Sequence, residues 1–245
     1  MEPKILSSGE FSPDDISISI SPSNRIIDKK IEDEIEKVWT RMMMRAKEKG
    51  LNLYNGISYR LNSLEQKGNI LKIDLSTFEY KIRDGLIAIP EYFNLPEEYW
   101  RKGCFTAATV KTSDWKYLMV ELSGKSMNTN TIDLLGGVIE FPPEIKTGGD
   151  IFKSLYSELE EEAFVNRIDI EECFLKTIFL ERRHNIGFYF EVILNISSKK
   201  LIERYTKSNM DVDIKSVKFF GRDEYLKTLC KHNPNKQLIA KLVEI

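Results

Sequence analysis

The sequence predicts a mixed α/β fold, with a mixed sheet set between helices, and three observations predict it. Strand-like apolar runs recur from about residue 103 to the C-terminal region. Two segments, 28–49 and 150–164, carry apolar residues at the three- and four-residue steps of an amphipathic helix. Helices are interspersed among the strands while hairpin turns join others, which suits a sheet holding both antiparallel and crossover connections.

Taken in order, residues 1–27 are rich in Ser, Pro and Asp, and their first part is expected to be loosely ordered, with a short strand at ISISI. Ile31, Ile35, Val38, Trp39, Met42 and Ala46 mark the first helix, which Gly50 can end. Asn55-Gly56 signals a turn before a short strand, and Gly68-Asn69 another before ILKIDLSTFEYKI, which alternates like a strand. Pro90 and Pro96 break the next stretch, and PEEYWRKG suggests a short helix. FTAATVKT, KYLMVEL and TIDLLGGVIEF then read as three strands, with KTSDW as the turn between the first two. A helix from Asp150 to about Phe164 follows, capped by Asp150. Strands are expected at FLKTIFLER and GFYFEVILNIS, where Phe188, Tyr189 and Phe190 read as core. A helix near 199–207, a strand at IKSVKFFG and a terminal helical region split at His232-Asn233-Pro234 complete the chain.

Composition narrows the function. With 42% hydrophobic and 30% charged residues, the 245-residue chain can bury an ordinary globular core. A net charge of −2 argues against electrostatic binding to nucleic acid. No apolar run approaches the ~20 residues that span a bilayer, and MEPKILSSGEFSPDD lacks the layout of a signal peptide. Three scattered cysteines fit a reducing cytoplasm. Two histidines make a multi-histidine metal site untenable, so a hard-cation site must use oxygen ligands.

SLYSELEEE, residues 154–162, carries the chemistry. At about 100° per residue, Ile151, Phe152, Leu155, Tyr156, Leu159 and Ala163 fall on one apolar stripe. Glu160 falls outside it, while Glu158, Glu161 and Glu162 cluster along its edge. One reading is a solvated helix face. The other is a metal site, because like charges at these spacings repel and a carboxylate near a core edge loses hydration, and a divalent cation reverses both penalties. Gly136-Gly137, shortly before this helix, lets backbone groups approach a ligand closely.

SELEEEAFV, residues 157–165, resembles the end of the Nudix hydrolase box, G-x₅-E-x₇-R-E-U-x-E-E-x-G-U, with Gly136-Gly137 similar to the glycine pair that opens it. Glu158, Glu161 and Glu162 match the three metal-associated glutamates, and Leu159 and Val165 its apolar positions. Ser157 stands at the box's arginine, Phe164 at its final glycine and Gly149 at its earlier glutamate, and the intervening loop is longer than standard. These departures resemble a divergent Nudix subfamily that hydrolyses UDP-glucose and UDP-galactose to UMP and the sugar 1-phosphate. Val38-Trp39, Asn55–Leu61, Thr77–Lys81 and Thr112-Ser113-Asp114 occur in that subfamily's order, over roughly residues 30–225. Its arginines after the core strand are absent here, where the chain reads ELSG.

The resemblance implies a Nudix-type α/β/α sandwich with a mixed sheet over residues 101–245 and an α+β extension over 1–100. It implies a metal-dependent pyrophosphatase using Mg²⁺ or Mn²⁺ and a small nucleotide-sugar substrate. Glu158 and Glu162 would be the main ligands, with Glu161 a third and a carbonyl of Gly136 or Gly137 completing the shell. Glu140 is a candidate extra ligand or water-positioning group. Arg60, Tyr80 and Lys81 from the extension, and Arg182 and Arg183 between two core strands, are candidates for the substrate. His184 is a candidate base and Asp211 or Asp213 a candidate acid. The rivals are a Nudix pyrophosphatase acting on ADP-ribose, a dinucleotide or capped RNA, and a non-catalytic nucleotide-binding module.

Overall fold

The computed structural model describes residues 2–51, 53–122, 131–207, 214–232 and 237–240. Within them the fold is mixed α+β, built on two sheets. The larger contains β1 (Lys4–Phe11), β9 (Ile170–Leu180), β10 (Ile186–Leu194), β5 (Cys104–Lys111), β6 (Tyr117–Leu122) and β11 (Ile214–Phe220) in that spatial order, with the short β7 (Ile132–Asp133) also on β6. β10 runs parallel to β5 and the other pairings are antiparallel. The smaller sheet has the order β2 (Ile16–Ile20), β4 (Ile70–Glu79), β3 (Ile57–Lys67), β8 (Glu140–Phe141).

The period-2 pattern of the central strands explains the layering. Ala108, Val110, Leu118, Val120, Phe188 and Phe190 point to one face and pack with Ile151, Phe152, Leu155 and Leu159 of α3 (Gly148–Ala163). Ala107, Met119 and Tyr189 alternate to the other face, where they meet Tyr225 and Leu229 of α5 (Arg222–His232). A helix therefore covers each face of the larger sheet, as the apolar runs imply. The main core cluster continues from α3 into the smaller sheet through Tyr59, Leu71, Ile73 and Leu75.

α1 (Lys29–Glu48) is capped by Asp28, whose carboxylate accepts from the Lys30 and Ile31 amides, and it buries Ile35, Val38, Trp39 and Ala46 as expected. α2 (Tyr80–Ile87) packs on it through Leu86 against Ile35. α4 (Ser198–Lys207) begins where Asp114 of the KTSDW turn accepts from the Ser198 amide at 2.8 Å and its hydroxyl at 2.6 Å.

Four expectations need correction. Residues 4–11 are an edge strand, not loose chain, because Ser7 and Phe11 turn inward and β1 pairs with β9. The strand expected to continue through Tyr80-Lys81-Ile82 ends at Glu79, and α2 starts there. TIDLLGGVIEF is not continuous. Gly136, at φ +138, interrupts it, leaving β7, β8 and single bridges from Leu135 to Ala108 and Val138 to Phe105. The acidic helix starts at Gly148 with Thr147 as its cap, and Asp150 completes the capping box from the third position, Thr147 Oγ1 donating to it at 2.9 Å. Among the described residues no helix is long and apolar enough to cross a membrane.

Candidate active site

The site begins with the way α3 is seated. Leu155 and Leu159 are fully buried, and each such side chain stabilises by about 1.5–3 kcal/mol. Their burial fixes the helix rotation. Glu160 and Ser157 then face solvent, while Glu158 and Glu162 lie half-buried at the edge of the core. Phe164 ends the helix in the left-handed region (φ 55, ψ 31), its amide returning to the Glu160 carbonyl at 3.0 Å. The box-like segment therefore keeps the helix-ending turn that a glycine normally takes. The Phe164 ring meets Tyr205 at 5.7 Å, and its carbonyl accepts from Arg204 at 3.2 Å.

Opposite α3, the glycine pair comes up against the carboxylates. The Gly136 amide donates to Glu162 Oε2 at 3.0 Å. A Cβ on Gly137 would lie 2.0 Å from Glu158 Oε1, so only glycine leaves that carboxylate its place. A Cβ on Gly136 would lie 2.2 Å from the Thr106 carbonyl oxygen. Thr106 pins the turn to β5, its amide donating to the Gly137 carbonyl at 2.8 Å. That carbonyl, expected at a metal, is thus already engaged with the sheet.

Both carboxyls are displaced from the usual range. Burial, then the charges of Glu161 and Glu140, pushes Glu158 up to about 7. Burial pushes Glu162 up to about 8, with Glu158, Asp133 and Glu161 adding to the rise and the Gly136 amide opposing it. Like-charge repulsion between exposed helix neighbours is worth only a few tenths of a kcal/mol, so loss of water is the larger cause. Among the described residues no Lys or Arg forms an ion pair with either group.

The other candidates separate into those the fold brings here and those it does not. Tyr80 donates from its hydroxyl to Glu140, as does Tyr54 at 3.3 Å, and Glu140 in turn acts on Glu158. Glu161 is exposed at the solvent side of the pair. Arg60, expected at the substrate, is 1% exposed and hydrogen-bonded to Asn24, Asn62 and the carbonyls of Leu61 and Trp100, so it ties β3 to the segments on either side. Lys81 reaches Glu36 of α1 at 3.1 Å rather than the acidic helix. Arg182 and Arg183 are exposed in the β9–β10 turn. His184 is buried, stacked on Trp100 at 3.8 Å beside Tyr92 and Phe93, and burial and Arg101 lower it to about 4, which leaves it a packed neutral ring. Asp211 and Asp213 lie outside the described residues. Phe188, Tyr189 and Phe190 are core, as expected.

Arg83 and Tyr54 were not among the candidates. The Arg83 guanidinium lies 4.0 Å above the Tyr80 ring, forks onto Asp84 at 2.8 Å, and has a buried Nη1 without a hydrogen-bond partner among the described residues. The signal for Arg83 was available only once Tyr80 was helical, since positions three apart then share a face.

No protein-family model matches the chain, and no curated protein matches it. Solved structures do, several of them described as Nudix proteins. A Nudix hydrolase from Nitrosomonas europaea is 18% identical, with a TM-score of 0.36 over 58% of this chain and 86% of that one. A bifunctional NMN adenylyltransferase/ADP-ribose pyrophosphatase from Francisella tularensis is 19% identical, with a TM-score of 0.43 over 66% of this chain and 46% of that one. A second structure of that enzyme holds AMP and a manganese ion. The Nudix domain of Shewanella oneidensis NrtR, complexed with ADP-ribose, is 16% identical, with a TM-score of 0.38 over 56% of this chain and 84% of that one. At such identities and TM-scores the likeness decides no activity, and the chemistry of the site has to.

That chemistry suits a hard divalent cation. Glu158 and Glu162 offer oxygen donors, are short of water, and gain ionisation from a neighbouring positive charge. Among the described residues, no three His, Cys, Asp or Glu side chains come together as a metal-holding group, so the donors are the Glu158–Glu162 pair alone.

Proposed function

We propose that the protein is a divalent-metal-dependent pyrophosphatase that hydrolyses a UDP-sugar, such as UDP-glucose or UDP-galactose, to UMP and the sugar 1-phosphate. One observation carries the reading: the desolvated Glu158–Glu162 pair held against the Gly136-Gly137 turn. When bound, Mg²⁺ or Mn²⁺ supplies charge neutralisation on the diphosphate and an acidified water. Glu158 and Glu162 hold that cation, and Glu161 stands at its solvent side. The glycine turn keeps side chains out of the space between α3 and β5. Glu140 orients the water on the open side.

The choice of UDP-sugar is supported by the order of extension segments that resemble the UDP-sugar subfamily. Arg60 is buried and Lys81 is paired with Glu36, so on this reading neither is assigned to the substrate. These placements favour, as a second reading, the same chemistry on another nucleoside diphosphate derivative such as ADP-ribose. The test is product analysis with Mg²⁺ or Mn²⁺ present, with UDP-glucose, UDP-galactose, ADP-ribose and Ap₄A in parallel. Metal-dependent release of UMP supports the first reading. Turnover of ADP-ribose alone selects the second, and turnover of none rejects the enzyme.

A further inference from the structure

We infer that Tyr80 is a positioning residue for this site: its hydroxyl holds the Glu140 carboxylate three residues beyond Gly137, the glycine against which the Glu158 carboxyl packs. The inference rests on the cation site proposed above and adds a control on it from outside the acidic helix.

Tyr80 is itself held from several sides. It opens α2, and its amide donates to the Gly56 carbonyl at 2.8 Å. Gly56 lets the rings close in, since a Cβ there would lie 2.8 Å from Tyr54 Cε2 and 3.0 Å from Tyr80 Cε2. The two rings meet at 5.7 Å, and the Arg83 guanidinium covers the Tyr80 face at 4.0 Å. Tyr80 is 7% exposed, although its hydroxyl bonds to an exposed carboxylate. The ring is therefore anchored and only its oxygen is presented.

Glu140 is set by a separate device. β8 pairs with β3 so that Glu140 is opposite Ser58 and Phe141 opposite Ile57. Ile139, before it, is fully buried, so successive side chains alternate and Glu140 turns outward. There it accepts from Tyr80 and, at 3.3 Å, from Tyr54. A hydrogen bond to an exposed carboxylate adds little to folding, but it fixes where that charge sits. Groups that orient ligands from outside a metal's own shell commonly change affinity about 10- to 100-fold when lost.

The test is Mn²⁺ binding, read by electron paramagnetic resonance, for wild type, Tyr80→Phe, Glu140→Gln and the double variant. Phenylalanine keeps the ring, its packing on Tyr54 and its contact with Arg83. The expected result is a roughly tenfold weaker Mn²⁺ affinity in Tyr80→Phe, with the double variant no weaker than Glu140→Gln alone. The thermal midpoint should stay near that of wild type, and raising Mn²⁺ should restore most of kcat. A Tyr80→Phe protein that binds Mn²⁺ like wild type overturns this inference alone. Additive losses in the double variant also overturn it, because Tyr80 then acts independently of Glu140. Failure of the wild type to bind Mn²⁺ overturns the cation site and this inference together.

Discussion

Glu162 has a carboxyl pushed up to about 8, and Glu158 one pushed up to about 7, because both have lost water without gaining a cationic partner among the described residues. Each folded value is above the ordinary glutamate value, so the native state holds protons that the unfolded chain releases. The stabilisation is fully present below about pH 4.5 and is lost as pH rises through about 7 to 8. Urea midpoints of the metal-free protein should therefore fall between pH 5 and pH 8.5, and excess Mg²⁺ should recover the loss at the upper end only. Glu162→Gln should flatten the profile and abolish turnover while the protein stays folded. A Glu162→Gln protein that keeps the wild-type slope or activity rejects this description of the residue. The glutamate cluster was legible because a 100° rotation per residue places 158, 161 and 162 together. Whether a cation such as Arg60 or Lys81 reaches the site was not legible, since that depends on Asn24 and Glu36, which are distant in sequence from them.

The acidic helix and the glycine turn constrain each other, and the two glycines do so differently. A methyl group at 137 meets only the flexible end of Glu158, whereas one at 136 meets backbone and a φ of +138. Gly137→Ala should thus fold within about 1 kcal/mol of wild type while weakening Mn²⁺ binding at least ~10-fold. Gly136→Ala should lose more than ~2 kcal/mol of stability. Calorimetry and a Mn²⁺ titration on the two variants separate these effects, and equal stability losses would contradict the geometry. At the helix start, Thr147→Ala should cost about 1 kcal/mol by removing the capping box without changing metal affinity. The long helices and the central strands were readable from period alone. β1 was hidden by its serines, because its pattern becomes meaningful only when β9 supplies an edge to pair with. α2 was hidden because the alternation of β4 continues past Glu79 in the sequence, and only packing against α1 turns those residues helical.

Across the whole molecule the two sheets exchange segments. β1, near the N-terminus, completes the edge of the larger sheet, and β8, from the middle of the chain, completes the smaller one. Glu140 travels with β8, which brings it onto the smaller sheet and within reach of Tyr80. Removing residues 1–12 should bare the β9 edge and delete the fully buried Phe11, costing at least ~3 kcal/mol and promoting self-association. Thermal unfolding and sedimentation measure both, and an unchanged monomer would show that β1 is dispensable. The most direct test of the cation site is anomalous scattering from crystals soaked with Mn²⁺ and a UDP-sugar. A peak shared by the Glu158 and Glu162 carboxylates beside the Gly136-Gly137 turn is the expected result. Density showing both carboxylates turned to solvent, with no metal between α3 and that turn, would contradict it.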